Sequence, residues 1–303
     1  MDQIVFETIV DGIKRLGRPL EIALLNYHFF DGALDDVLRE LGKYQNQNGG
    51  FGHGLEPDFL NPHSSPMQCF QAALYLRTLN LPDSHVMIKS LLNYLEKTYQ
   101  NETKRWLNRI PSNNDYPHAP WWSYDENPQL SFNPSASLAG FIFLYANPKD
   151  DVYTYAKEVI YDAILYLNLQ KEPIEVHELK CLIDLGNDLF HLGEDILSPS
   201  LKEAFFHQIN QVIEKDEEKW FTSYSAKPTS LLKESPSFYS TEYHQLLLRE
   251  LEIALQNRDR DGLWPVTWTW GEHSLAFEES KKAWKGIIAL EYLMLMKKLN
   301  QLS

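Results

Sequence analysis

Apolar residues recur along this chain at helical spacing, and no stretch alternates with the period of two that marks a strand. Residues 4–16 and 20–30 form two such patterns, broken at Gly17-Arg18-Pro19. Asp31 is the expected cap of a third helix, whose Leu34, Val37, Leu38, Leu41 and Tyr44 share one face. A polar loop over 49–64 follows. Ser65 and Pro66 then make a good cap and first-turn pair for a helix apolar on every face, from Met67 through Cys69, Phe70, Ala72 and Ala73 to Leu76. An amphipathic helix is expected over 85–99, and a loop rich in Pro, Asn and Trp runs from there to Asn133-Pro134. A cap-plus-proline start repeats at that point, before the all-apolar stretch SASLAGFIFLYA. Amphipathic patterns cover 153–169, 174–190 and 201–213, and 221–238 reads as irregular. Ser240 or Thr241 caps one more amphipathic helix, and a Trp-rich loop leads to a last helix over 280–299.

Two kinds of helix therefore take turns. An amphipathic helix needs one covered face, whereas one apolar all round has to be enclosed. An outer ring wrapped around an inner ring satisfies both, so the expected fold is all-α, an (α/α)6 toroid of alternating outer amphipathic and inner apolar helices. The long loops follow outer helices and precede inner ones, which would gather them on one functional face. Aromatic residues mark the repeat: 55 residues separate Phe51 from Trp106, 114 separate Trp106 from Trp220, and 44 separate Trp220 from Trp264. With no evident linker, residues 1–303 read as a single domain.

Charge narrows the function classes. The 42 acidic residues outnumber 28 basic ones for a net charge of −14, without a Lys/Arg cluster, which disfavours nucleic acid as a partner. The two cysteines, Cys69 and Cys181, lie within apolar helical patterns and read as buried free thiols. Residues 1–19 read as an amphipathic helix with an acid at position 2 rather than as a signal peptide, and no apolar run is long enough to span a bilayer. The expectation is a cytoplasmic protein.

The order Gln45, Gly49, Gly50, Phe51 resembles the glutamine–aromatic repeat of the terpenoid cyclase and protein prenyltransferase superfamily, and so does the order Gln256, Gly262, Trp264. In that superfamily a helix ends in Gln, and Gly-x-aromatic precedes an apolar inner helix. The resemblance implies the same toroid, a central cavity opening where the inner helices begin, and an isoprenoid-like or other apolar substrate. The pairs Gln100/Trp106 and Glu217/Trp220 lack the glycine. The Asp-x-Asp-Asp acid motif of class II cyclases is missing, and neither cysteine has the Asp two residues before it that the prenyltransferase zinc site uses.

The most specific polar feature is Gly52-His53-Gly54-Leu55-Glu56-Pro57-Asp58. Glycines beside His53 permit tight turns and Pro57 stiffens the link between two carboxylates, a design suited to acid–base catalysis by Glu56 and Asp58 with His53 as helper. An equal reading is scaffolding, in which those carboxylates accept loop amides or cap the next helix. Phe51, Trp121, Trp122, Tyr124 and Glu126 of the first two loops, with Trp268, Trp270, Glu272 and His273 of the last, are the expected substrate-binding residues. Aromatic walls with a few carboxylates serve a carbocation or a stacked sugar. The alternatives to an enzyme acting on an apolar small molecule are therefore a carbohydrate-active hydrolase or lyase, and a non-catalytic toroid that binds a ligand or protein. No cofactor is predicted. A divalent metal stays open, because His53, Glu56, Asp58 and His273 are ligand types but none shows helical ligand spacing.

Overall fold

The computed structural model describes residues 1–126, 130–271 and 274–302. They fold into helices α1 Gln3–Leu16, α2 Pro19–Phe29, α3 Leu34–Gly42, α4 Pro66–Arg77, α5 Val86–Thr98, α6 Ser135–Tyr145, α7 Asp151–Leu169, α8 Val176–Leu192, α9 Pro199–Val212, α10 Pro228–Leu231, α11 Ser240–Gln256 and α12 Leu275–Lys298. Among the described residues only isolated bridges take the place of strands, so the all-α expectation holds. No described helix is long and apolar enough to cross a membrane.

Local chemistry explains most boundaries. Ser65 caps α4 as expected, its hydroxyl accepting from the Gln68 amide, with Pro66 in the first turn. Four starts differ from what the sequence predicts. α6 begins behind Pro134 and α11 behind Tyr239, neither with a side-chain cap, in place of a cap by Asn133 and by Ser240 or Thr241. Asp31 does not cap α3. It takes a left-handed φ of 52°, and the chain turns through Gly32 before Ala33 begins the helix without a side-chain cap. α12 starts at Leu275, where Ser274 accepts from the Phe277 amide, five residues before the expected Ser280. Leu275 is 88% exposed and Phe277 is the one buried apolar residue of the first turn, too little for periodicity to detect.

The helices group into two compact units, residues 44–212 and residues 1–43 with 213–303. In the first, α6 packs against both α4 and α8, and α7 packs against both α5 and α9. α5 also lies on α4, α7 on α6 and α9 on α8, giving a row α4–α6–α8 packed on a row α5–α7–α9. The all-apolar sequence of α6 matches its place, since every residue from Ser135 to Ile142 is buried. α8 stands in the same row although its stretch reads as amphipathic, a departure from the expected alternation. In the second unit α12 packs on α1 and α2, α2 on α3, and α10 on α11. Cys69 and Cys181 are buried free thiols, as expected.

The four repeat aromatics, Phe51, Trp106, Trp220 and Trp264, are each at most 1% exposed. Trp106 donates its indole N–H to the Leu95 carbonyl near the end of α5, and Trp264 donates to Ala254 near the end of α11, both at 2.8 Å. Trp220 makes the same bond to Glu214 at 2.8 Å. Each indole thus ties its loop to a carbonyl at a helix end or turn. Phe51 has no ring donor, and Gln45 replaces it: its amide donates to Gly49 and Met87 carbonyls at 2.9 and 3.2 Å. Gly49 makes this turn at φ +89°, where a Cβ would sit 2.1 Å from the Ser90 carbonyl oxygen. The motif residues are locks at the bases of loops.

Candidate functional site

Within residues 44–212 the first two long loops come together. A bridge joins Phe59 to His118, the Ala119 amide donates to the Asp58 carbonyl at 2.8 Å, and Leu60 donates to Pro117 at 2.9 Å. Side chains reinforce this seam. Asn61 donates to Ser112 Oγ at 2.9 Å and Asn113 Oδ1 at 3.2 Å, while Asn113 donates to the Trp122 carbonyl. Trp122 packs on Phe59 with centroids 5.4 Å apart, and His63 meets Tyr116 edge-on at 5.7 Å. Glu56, Asp58 and Trp122 thus belong to one loop assembly.

Inside it the roles separate. Glu56 and Asp58 are 6% and 3% exposed. Glu56 Oε2 accepts from the Asp58 amide at 2.8 Å, and the Glu56 amide donates to Gln68 Oε1 at 2.8 Å. Gln68, in the first turn of α4, also donates to Phe59 and Asn61 carbonyls, so it pins the loop to the helix start. His53 behaves differently. It is exposed, holds φ +60° and meets Asn46 Oδ1 at 2.9 Å. Phe51 is buried as a lock, Trp121 is 43% exposed, Tyr124 is tied through its backbone to Asn114, and Glu126 is exposed.

In the other unit Trp268 meets Trp284 and Tyr224 edge-on at 5.3 and 6.0 Å, and Trp270, 8% exposed, packs on Phe277 at 5.6 Å. Glu272 and His273 lie outside the described residues. No group of three or more metal-ligand side chains occurs among the described residues.

A second polar group, absent from the sequence reading, sits between α4, α6 and α8. Arg77, the last residue of α4, reaches Asp188 of α8 with two bonds, Nε to Oδ1 at 2.9 Å and Nη2 to Oδ2 at 2.6 Å. The same Nη2 donates to the Ser137 carbonyl of α6 at 2.7 Å, and the guanidinium stands 5.4 Å from the Phe141 ring centroid. Nη1 of Arg77 and Oδ1 of the neighbouring Asn187 are buried without hydrogen-bond partners. One turn before Asp188, half-buried Asp184 makes no ion pair among the described residues. Burial lifts its carboxyl to about 6; Asp188 adds to the rise, while Arg77 opposes it. Two carboxylates on one helix are thus set apart, one clasped by a cation and one held near neutrality. In sequence Asp184 and Asp188 read as the polar face of an amphipathic helix. The one signal was an arginine ending an otherwise apolar helix.

Packing around this group is tight. A Cβ on Gly140 would stand 2.3 Å from Asp188 Oδ2. Gly140→Ala is expected to overpack the pair and cost about 1–3 kcal/mol, read as a lower denaturation midpoint at unchanged slope.

No protein-family model matches the chain, and no curated protein or solved structure is significantly similar to it.

Proposed function

We propose that this chain is an enzyme of the α/α-toroid type that applies carboxylate acid–base chemistry to an isoprenoid-like or other apolar small molecule. The observation that carries the reading is the Asp184–Asp188 pair of α8. Bidentate contact with Arg77 favours the ionised form of Asp188, whereas burial keeps Asp184 protonated up to about pH 6. Pairs whose surroundings push them apart in this way divide naturally into acid and base. The substrate class rests on the glutamine–aromatic resemblance. The ring rests on the row α4–α6–α8 packed on α5–α7–α9 and on the recurring aromatic locks. Glu56 and Asp58 form a second carboxylate pair, at the loop seam.

One observation favours the carbohydrate alternative: Trp121 keeps 43% of its surface exposed, and an exposed indole is a face on which a sugar can stack.

The test is product analysis with a panel of prenyl diphosphates, polyenes and aryl glycosides, using wild type, Asp184→Asn and Glu56→Gln. Asp184→Asn is expected to lose about 100-fold or more in turnover with its helical spectrum intact. Wild-type turnover should decline as pH rises above about 6, where the acid form of Asp184 is lost. If Glu56→Gln alone abolishes turnover, the chemistry belongs to the loop pair. Absence of turnover on every panel member favours the non-catalytic binding alternative.

A further inference from the structure

Lys227 lies in the unit of residues 1–43 and 213–303, away from both carboxylate pairs in sequence and in packing unit. It directly precedes α10. Its Nζ donates to the Tyr292 hydroxyl at 2.9 Å and stands over two rings, 4.5 Å from the Phe221 centroid and 5.2 Å from that of Tyr292. The Tyr292 hydroxyl in turn donates to Glu250 Oε1 at 2.9 Å.

The carboxylates that would normally hold a lysine charged are engaged elsewhere. Glu250 is fully buried and accepts from the Thr229 amide and hydroxyl as well as from Tyr292. Glu291 pairs with Lys233. Lys227 itself has no ion-pair partner among the described residues; its polar contact is a phenol. Burial lowers its pKa from the ordinary lysine value, against the raising pull of Glu250 and Glu291 and with help from Lys233. Tyr292 stays a neutral phenol, since burial pushes its own ionisation well above the usual range. A half-buried amine among rings, hydrogen-bonded to a protonated phenol, is the setting in which lysine serves as a nucleophile.

We infer that Lys227 forms a Schiff base with the aldehyde or ketone group of an aromatic or apolar small molecule, with Tyr292 and Glu250 handling the proton. Neutral Nζ adds to the carbonyl carbon, so an N–C bond forms as the C=O π bond breaks. The two protons that nitrogen gives up leave with the carbonyl oxygen as one water, and a C=N bond remains. No electrons are exchanged with any other group. Tyr292, hydrogen-bonded to Nζ on one side and Glu250 on the other, passes the first of these protons. The Phe221 and Tyr292 ring faces select an apolar carbonyl. This inference does not rest on the carboxylate pairs.

The experiment traps the imine on the intact wild-type chain with benzaldehyde and cyanoborohydride between pH 6.5 and 9, then maps each lysine by mass spectrometry. Lys227 is expected to react about tenfold faster near pH 7 than exposed lysines such as Lys157 and Lys215, with its pH profile displaced to lower pH. Tyr292→Phe should slow trapping several-fold while the melting curve shows the chain still folded. Should that variant not fold, the pH profile of the wild type decides. Labelling of Lys227 no faster than of Lys157 and Lys215 overturns the nucleophile, and equal trapping of acetaldehyde overturns the apolar substrate class.

Discussion

Replacing Asp188 by Ala is expected to destabilise the chain by about 3–5 kcal/mol, because it takes from the buried Arg77 guanidinium its hydrogen-bonded counter-charge and leaves only the Asp184 carboxyl nearby. The side chains of the pair are 16% and 4% exposed, so water can compensate little. Nη1 is already unpartnered, and the variant would leave Nε in the same position and Nη2 bonded only to the Ser137 carbonyl. Denaturant melts of Asp188→Ala, Arg77→Met and the double variant measure the coupling. The double variant should recover most of the loss, since what costs is a lone buried charge rather than a missing attraction. A double variant as unstable as the sum of the singles would show that the two side chains act independently.

Trp106→Ala is expected to cost a similar 3–5 kcal/mol, for a different reason. Its ring packs on Tyr99 at 5.1 Å, and Tyr99 stacks on Tyr155 of α7 at 4.3 Å with nearly parallel planes. Its backbone exchanges hydrogen bonds with Ser135 Oγ at the start of α6. Removing the ring therefore opens a cavity where α5, α6 and α7 are joined. Trp106→Phe separates the parts: most of the ring stays, the Leu95 carbonyl keeps only the long 3.5 Å contact from the Thr98 hydroxyl, and about 1–3 kcal/mol should be lost. Thermal melts of the two variants give both numbers, and equal losses would refute the division.

Asp184 carries a pH signature of its own. Its folded value near 6 lies above the ordinary 3.8, so the folded chain binds this proton more tightly than the unfolded chain does. Stability from this residue is intact below the ordinary value and is lost as pH rises through about 6. Asp184→Asn should therefore be the more stable protein at pH 8 and gain nothing at pH 4, which paired melts at the two pH values decide.

Features governed by neighbours along the chain were legible in the sequence, and those governed by distant partners were not. Ser65-Pro66 announces α4 because a cap acts within three residues. Phe51 and Trp264 announced themselves through their glycine and glutamine companions, and Trp106 and Trp220 chiefly through their spacing, although sequence could not tell that the three indoles would serve through their N–H groups. Arg77 and Asp188 stand 111 residues apart, and neither carries a local mark of the other. Glu56 and Asp58 were found as a pair. The equal scaffolding reading, a carboxylate accepting a loop amide, holds for Glu56, whose Oε2 accepts from the Asp58 amide; residue types alone did not say which carboxylate would meet which amide.

The indole locks separate two kinds of sequence change. Trp106 closes its loop at the base, at Leu95 and Ser135, so the strain of altering the distal stretch near Trp121 is not passed on to α5 and α6. Exposed positions there can change composition while the helical frame keeps its register. Substitutions confined to exposed positions such as Trp121 should on this view leave the melting temperature nearly constant, whereas a graft that removes the seam residues Asn113 or Trp122 should lower it.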